Sequence, residues 1–593
     1  MTTSNLPPQA TGPVVSAPVV VTLGKPSRRI RSFTFIIFVC LISCFLRLVD
    51  LQIIRGSELA AQAENSRMET YTIPAVRGQI TDINGNPIAM SIKAKNVTCD
   101  QTLILNPNAT AKVLAPYLKM PVKEIEMKLT GKLRFNYVAR NITPELWDKI
   151  AKLNLRGILS QPASLRVYPE GILAANLLGF TGTEGHGLVG LEQTYDSVLA
   201  GKDGSQTVEM VNGAQIPTGP NSGTEAIDGG SIRLTIDHSI QAVAERALAR
   251  QVVAQKALGG DVVVMDPKTF QILAMATYPT FNPNHPNKYT MAQTRNSAVQ
   301  DTFEPGSTSK VMTMAAVLEE GVLKPQSKLV VPPTIRRGGT TFHDHDDHGY
   351  LKLTLNGVLA QSSNIGSIIA ASKIGQDKLV TYLRKFGVGE ATGSKIYGEQ
   401  SGILPDPKNP NQWSATTFPT LAFGQGLSVT ALQVASIFST IANNGVRLQP
   451  QIVAGTTSAD GFFTPSDPPK STRVISTKTA KTVREMLESV VSAEGTAPAA
   501  QIPGYRVAGK TGTANRSRAN GPGYSGYTAS FVGMAPAENP SLVVAVMIHT
   551  PGGLHFGSLL SGPVFREVMM YSLAHLRVPP SSNKRPKFPV KWK

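Results

Sequence analysis

Three short patches, far apart in the chain and fixed in order, constrain this sequence more than anything else in it. They are Ser307-Thr308-Ser309-Lys310, Ser362-Ser363-Asn364 and Lys510-Thr511-Gly512-Thr513. Each alone is weak. A serine three residues before a lysine occurs by chance in most long chains, and Ser-Ser-Asn by itself reads as an ordinary turn or helix cap. Together they ask for a helix start, a tight turn and a strand end that face one cleft.

The residue types suit one chemistry. Pro305-Gly306 breaks the segment before it, and Ser307 is expected to open a helix. Three residues apart on a helix means one face, so Lys310 can reach Ser307. A serine hydroxyl is a poor nucleophile until a base takes its proton, and a lysine serves when burial or a cationic neighbour lowers its pKa. Lys510 is a candidate for that neighbour. The helix start adds free backbone N–H groups where an oxyanion would form. A hydroxyl at Ser362 can relay a proton to a leaving amine, and the carboxamide of Asn364 can hold a peptide bond. Lys510, Thr511 and Thr513 suit a substrate carboxylate. Gly512 leaves room for substrate backbone, and the N–H of Thr513 can pair with that of Ser307 as an oxyanion hole. The three patches point to an enzyme that acylates a serine.

A chain of 593 residues exceeds one core, so two or more domains are expected. Residues 1–24 carry no charge and read as a flexible cytoplasmic tail, 1–31 with the basic cluster Lys25, Arg28, Arg29 and Arg31. An apolar run follows, extendable over 32–54 if Arg47 and Asp50 sit at the outer interface, and it reads as an uncleaved membrane anchor. The basic cluster predicts a cytoplasmic N-terminus and an extracytoplasmic bulk. A cleaved signal peptide is the competing reading. Residues 55–230 alternate short strands and turns and read as a pedestal. Arg77–Ala89 holds a strand, an Asn-Gly turn and a second strand start.

From 231 to 576 the texture changes. An amphipathic helix is expected over Ile240–Ala254, strands over Asp261–Asp266, Gln271–Ala276, Ala529–Met534 and Leu542–Ile548, and a last helix over Pro563–Leu576. The class is α+β: an antiparallel sheet flanked by helices. The basic tail 577–593 reads as disordered. The three cysteines, Cys40, Cys44 and Cys99, build neither a disulfide framework nor a metal set. The net charge of +18 suits anionic lipid or an anionic wall. No zinc-finger spacing, RNP-like strand or recognition helix supports nucleic acid. His343-Asp344-His345-Asp346-Asp347-His348 has metal-like composition but consecutive spacing, and reads as a polar loop at the cleft mouth.

With these residues on the page, the chain resembles a class B penicillin-binding protein over roughly 30–575. The three patches are that family's motif set. Arg77-Gly78 to Ala89 resembles a pedestal motif, and Arg166–Gly171 with Gly187, Gly190, Leu191, Glu192 and Tyr195 resembles a second one. Arg295–Lys310 is close to the family's active-site segment, and Phe386-Gly387, Thr392-Gly393 and Phe423–Thr430 also match. Among subtypes it looks most like the division (septal) FtsI type of actinobacteria, with the elongation-type paralogue nearest. The resemblance implies a peptidoglycan D,D-transpeptidase that needs no cofactor. Ser307 would attack the D-Ala-D-Ala carbonyl of a donor stem peptide, with Lys310 as base. Ser362 and Lys510 would shuttle the proton, Asn364 would orient the substrate, and Thr511 and Thr513 would bind the terminal carboxylate. β-Lactam antibiotics would acylate the same serine. It also implies partnership with an FtsW-type glycosyltransferase and divisome membrane proteins.

Three other activities share these motifs. A serine β-lactamase of class A needs a Glu with an Asn four residues later; Glu399 is placed for the first, but position 403 is Ile403. A β-lactam sensor should carry a cytoplasmic effector domain, for which the short N-terminal tail leaves no room. A D,D-carboxypeptidase, with water as acceptor, leaves no motif by which to tell it apart.

Overall fold

The computed structural model describes residues 26–65, 67–211, 214–215, 221–517, 524–553, 556–581 and 588–593. They fall in two compact units. One takes residues up to 71 and 206–223; the other takes 72–205 and 224–593.

In the first unit a helix runs from Pro26 to Val49 and continues as a π-turn over Asp50–Ile54. Residues Arg28–Ile54 are long and apolar enough to cross a membrane, and none of that span is buried. Twenty-seven helical residues reach about 40 Å, more than the hydrocarbon core needs. Arg47 and Asp50, the two charges inside the apolar stretch, pair at 2.6 Å. The expected tail 1–24 lies outside the described residues.

The second unit contains a seven-stranded sheet whose hub is Pro87–Cys99, paired along its length with Ile158–Val167. The Asn-Gly turn before it forms as read: Asp82 Oδ1 accepts from the N–H groups of Asn84 and Asn86. The sequence boundary near 230 is not a break in packing. Ser231–Leu234 pairs in parallel with Ile80–Thr81 and antiparallel with Val453–Thr457, so one sheet takes strands from both sides of that boundary. A small satellite core of Val97, Leu114, Ile125, Leu129, Val138 and Ile150 sits under the helices between 107 and 151.

Residues 77, 166, 192 and 196 meet in one ion cluster, buried except at Asp196, which is partly exposed. Glu192 is fully buried and takes Arg77 Nε at 2.7 Å and Arg166 Nε at 2.8 Å. Tyr168 donates to the same carboxylate at 3.1 Å, and Arg77 also pairs with Asp196 at 2.6 Å. Burial, then the Glu192 charge, pushes the Tyr168 phenol far up. The two stretches that the sequence marked separately are joined through these charges.

The five-stranded antiparallel sheet is ordered Ile272–Tyr278, Gly259–Met265, Leu542–His549, Tyr524–Ala535, Ala508–Ser517. Every residue of Leu542–His549 is buried, so both faces are covered. His238–Ala254 and Gly557–His575 pack on each other and on the sheet; Ala431–Ala442 packs against it as well. The expected strands and the first helix lie where the pattern put them, within a few residues. The last helix starts earlier than expected, at Gly557, with Pro563 in its interior. Buried Leu560 and Ser561, whose hydroxyl donates to Ala529 O, hold that extra turn on the sheet.

The tail also departs from expectation. Residues 588–593 take a defined course, with Lys591 bridged antiparallel to Leu353 and Val590 buried. Phe588, Val590 and Trp592 stand two apart, with Pro589 and Lys591 between them, a strand period that the Lys/Pro composition hid.

Candidate active site

Ser307 does not open a regular α-helix. Gly306–Ser309 forms one 3₁₀ turn, and the α-helix Lys310–Glu319 begins after it. In a 3₁₀ turn residues three apart eclipse, which strengthens rather than weakens the argument that Ser307 and Lys310 share a side. Ser307 is half-buried, whereas Lys310 is fully buried. The turn is wedged between two neighbours. Gly306 N–H donates to Gly424 O at 3.0 Å, and Glu304 accepts from Gly426 N–H at 3.0 Å, so Phe423–Gly426 braces it from one side. The strand Ala508–Ser517 braces it from the other. A Cβ at Gly512 would lie 2.4 Å from Ser530 Oγ, 3.0 Å from Thr308 Cγ2 and 3.1 Å from Pro305 O. The missing side chain at 512 therefore lets the strand press on the serine turn; the direction its Cβ would take is into the protein, away from the substrate room expected there.

Ser362 stands in the left-handed region at φ 61°, which is uncommon for a residue with a Cβ. Ser363 then caps the helix Asn364–Ala371, accepting from Gly366 N–H at 2.8 Å. This pair of conformations makes the tight turn that the second motif required. It sets Ser362 Oγ between two lysines: Lys510 Nζ donates to it at 2.9 Å and Lys310 Nζ at 3.3 Å. Lys310 also donates to Ser362 O at 2.5 Å and to Asn364 Oδ1 at 2.8 Å. Among the described residues no hydrogen bond joins Lys310 to Ser307. Lys510 is bonded to Thr511 Oγ1 at 3.3 Å, and that hydroxyl contacts Thr496 Oγ1 at 2.9 Å. Lys310, Ser362, Asn364, Lys510 and Thr511 thus form one connected set. Ser307 lies on a turn in contact with the Gly512–Thr513 backbone.

Both lysines are pushed toward the neutral form. Burial lowers Lys310 to about 7, against a smaller opposing pull from Asp344. Burial, then repulsion from Lys310, holds Lys510 well below the usual lysine range. Of the two causes the sequence allowed, burial is the leading one for Lys310. A buried lysine that is part neutral near neutral pH has the acid–base range a serine needs for activation.

The His343–His348 loop has a role that composition did not announce. Asp344 is buried and lies under the second motif. Its carboxylate accepts from Ser363 Oγ at 2.7 Å, Ile365 N–H at 3.0 Å and His348 Nε2 at 3.0 Å. Asn364 Nδ2 donates to His343 O at 3.2 Å. The sequence did not set Asp344 apart from Asp346 and Asp347, which lie nearer to Ser362 in the chain. Glu399, the candidate for water activation, is bound instead by Thr392 N–H, Thr392 Oγ1 and Ser394 Oγ.

A serine beside a buried lysine, with a hydroxyl shared between that lysine and a second one on a sheet edge, defines an acyl-transfer enzyme of the serine type. Residues 260–570 match the penicillin binding protein transpeptidase domain, and residues 72–234 match the penicillin-binding protein dimerisation domain. PbpB of Mycolicibacterium smegmatis is 36% identical, over 94% of this chain and 92% of its own. The peptidoglycan D,D-transpeptidase FtsI of Escherichia coli K12 is 33% identical, over 94% and 95%. The crystal structure of penicillin binding protein 3 from Mycobacterium tuberculosis with aztreonam superposes with a TM-score of 0.70 at 32% identity, covering 88% of this chain and all of that one. The chain belongs to the class B penicillin-binding proteins, with a dimerisation domain ahead of a transpeptidase domain.

Proposed function

We propose that this protein is the septal D,D-transpeptidase of peptidoglycan, and that Ser307 is its nucleophile. The carrying observation is Ser362 Oγ held by both Lys310 and Lys510. That hydroxyl gives a proton path across the cleft from the base to a leaving amine. Ser307 Oγ attacks the carbonyl of the penultimate D-Ala as neutral Lys310 takes its proton. A C–O bond forms, and the N–H groups of Ser307 and Thr513 receive the oxyanion. The proton passes through Ser362 and Lys510 to the amide nitrogen, the C–N bond breaks, and D-alanine leaves. An amine of a neighbouring stem peptide then attacks the ester, its proton returns along the same path, and Ser307 is regenerated with the cross-link made. Asn364 holds the donor peptide bond; Thr511 and Thr513 hold the terminal carboxylate, while Gly512 lets their strand press against the serine turn.

The domain plan that goes with this reading is a cytoplasmic tail 1–31, an anchor 32–54, a pedestal 55–230 and a transpeptidase domain 231–576. Lys25, Arg28, Arg29 and Arg31 support a cytoplasmic N-terminus by the positive-inside rule. An FtsW-type glycosyltransferase and other divisome membrane proteins are the expected partners of such an anchored enzyme.

Intact-protein mass after incubation with benzylpenicillin tests the reading, with Ser307→Ala as control. A persistent adduct on wild type alone is expected. Labelling retained by Ser307→Ala would refute the nucleophile, and an adduct lost within seconds would turn the reading toward a β-lactamase.

A further inference from the structure

The segment Phe588–Lys593 is seated where composition predicted no structure. It runs antiparallel along the open edge of the strand Leu351–Thr354, whose other edge pairs with Lys328–Val331. Thr354 N–H donates to Val590 O at 3.1 Å, and Trp592 N–H donates to Lys352 O at 3.2 Å. The Trp592 indole crosses the strand to donate to Leu329 O at 3.1 Å, and the ammonium groups of Lys328 and Lys352 each lie 5.1 Å from its ring centroid. These contacts are a strand addition that ends in an aromatic anchor.

What the segment grips leads directly into the second motif. Leu351–Thr354 runs into the helix Leu355–Ala360, and two residues beyond that helix stands Ser362. The cap of the helix is shared with the segment: Thr354 Oγ1 accepts from Gly357 N–H at 2.9 Å and donates to Pro589 O at 2.5 Å. Asn356 Nδ2 donates to Phe588 O at 3.2 Å. At the far end, Ser362 N–H donates to Leu359 O at 3.3 Å and Ser363 N–H to Val358 O at 3.0 Å. The helix has room for this seat only because residue 357 is glycine; a Cβ there would lie 1.9 Å from Val590 O.

We propose that Phe588–Lys593 is a strap that fixes the helix Leu355–Ala360 and thereby holds Ser362 and Asn364 against Lys310. Val590 and Trp592 are positioning residues. The proposal rests on the reading of Ser362 and Lys310 given above. With the strap off, Thr354 loses its bonds to Pro589 O and Val590 O and Asn356 its bond to Phe588 O, so the start of the helix that leads to the left-handed Ser362 is no longer fixed.

The test uses the full chain and follows acylation by a fluorescent penicillin. A variant with Val590→Asp and Trp592→Ala loosens the strap; Gly357→Ala expels it from the receiving side. Alanine is otherwise the better helix former, so a loss at 357 reports the displaced strap. Each variant is expected to slow the first-order acylation step at least about tenfold, with the preceding binding step little changed. Combining them should add nothing further. A free peptide of sequence FPVKWK should restore the rate of the strap variant and not of Gly357→Ala. Trp592→Ala alone, which keeps the backbone bridge, serves if the double variant does not fold, and a smaller loss restored by the same peptide is then expected. Folded variants acylated at the wild-type rate, losses that multiply, or failure of the peptide to restore the rate would overturn the strap while leaving Ser307 as nucleophile. Wild type that takes up no penicillin would sink the nucleophile and the strap with it.

Discussion

Lys310 owes its chemistry to where its ammonium is buried. Its hydrogen bonds go to a carbonyl, a carboxamide and a hydroxyl, and burial brings its pKa to about 7. In the proposed role the neutral form is the base, so acylation should rise with pH through about 7 and level off above it. Lys310→Ala should lower the acylation rate by about 10²–10⁴-fold and remove that rise, the usual worth of a positioned base. A pH profile of penicillin uptake checks both; a flat wild-type profile between pH 6 and 8 would contradict the assignment. Gly512 makes a second prediction at this scale. Gly512→Ala forces a methyl against Ser530 and Thr308 and should cost about 1–3 kcal/mol, read by thermal melting, with slower acylation. The lysines, serines and Asn364 were legible in sequence because the chemistry needs those side chains at those spacings. The left-handed backbone of Ser362 was not legible, because local propensity disfavours it and only packing imposes it. The inward direction at Gly512 was hidden for a related reason: sequence shows that a side chain is absent, not what fills its place.

Two helix starts carry the cleft, and the polar loop before the second one is part of its cap. Asp344 accepts from Ser363 Oγ and from Ile365 N–H at the start of Asn364–Ala371. Asp344→Ala should cost about 0.5–2 kcal/mol, the range for a lost cap, and should slow acylation because Ser362 and Asn364 flank the capped residue. Melting temperature and penicillin uptake measured together check this; a variant that melts lower but is acylated at the wild-type rate would confine Asp344 to stability. The sheet strands and the long helix His238–Ala254 could be read from periodicity because each buries a face continuous in sequence. The loop could not. Its histidines and aspartates have the composition of a ligand set, and the one that matters is singled out only by a partner closing over it from residues 363–365. Phe588–Lys593 was misread for the opposite reason: its strand period is three residues deep and embedded in lysine and proline.

The Arg77–Arg166–Glu192–Asp196 cluster works at the scale of the whole second unit, since it joins segments far apart in sequence, with Arg166 in a strand of the sheet that crosses residue 230. The resemblance to pedestal motifs marked Arg77, Arg166 and Glu192 but not Asp196; that the charges meet in one site is information only the fold holds. A buried ion cluster is not by itself a source of net stability, because desolvation offsets much of the attraction. Removing its centre is a different matter. Glu192→Ala would leave two buried guanidinium groups without their shared carboxylate, and should destabilise by about 3–5 kcal/mol. Glu192→Gln keeps the shape and part of the hydrogen bonding, and should fall between that variant and wild type. Neither touches the cleft, so the fraction that stays folded should take up penicillin at the wild-type rate. Denaturant melts with acylation rates per folded molecule separate the two effects. A Glu192→Ala protein that melts like wild type would mean that water or backbone movement satisfies the arginines, and that the sheet across residue 230 holds the unit together without them.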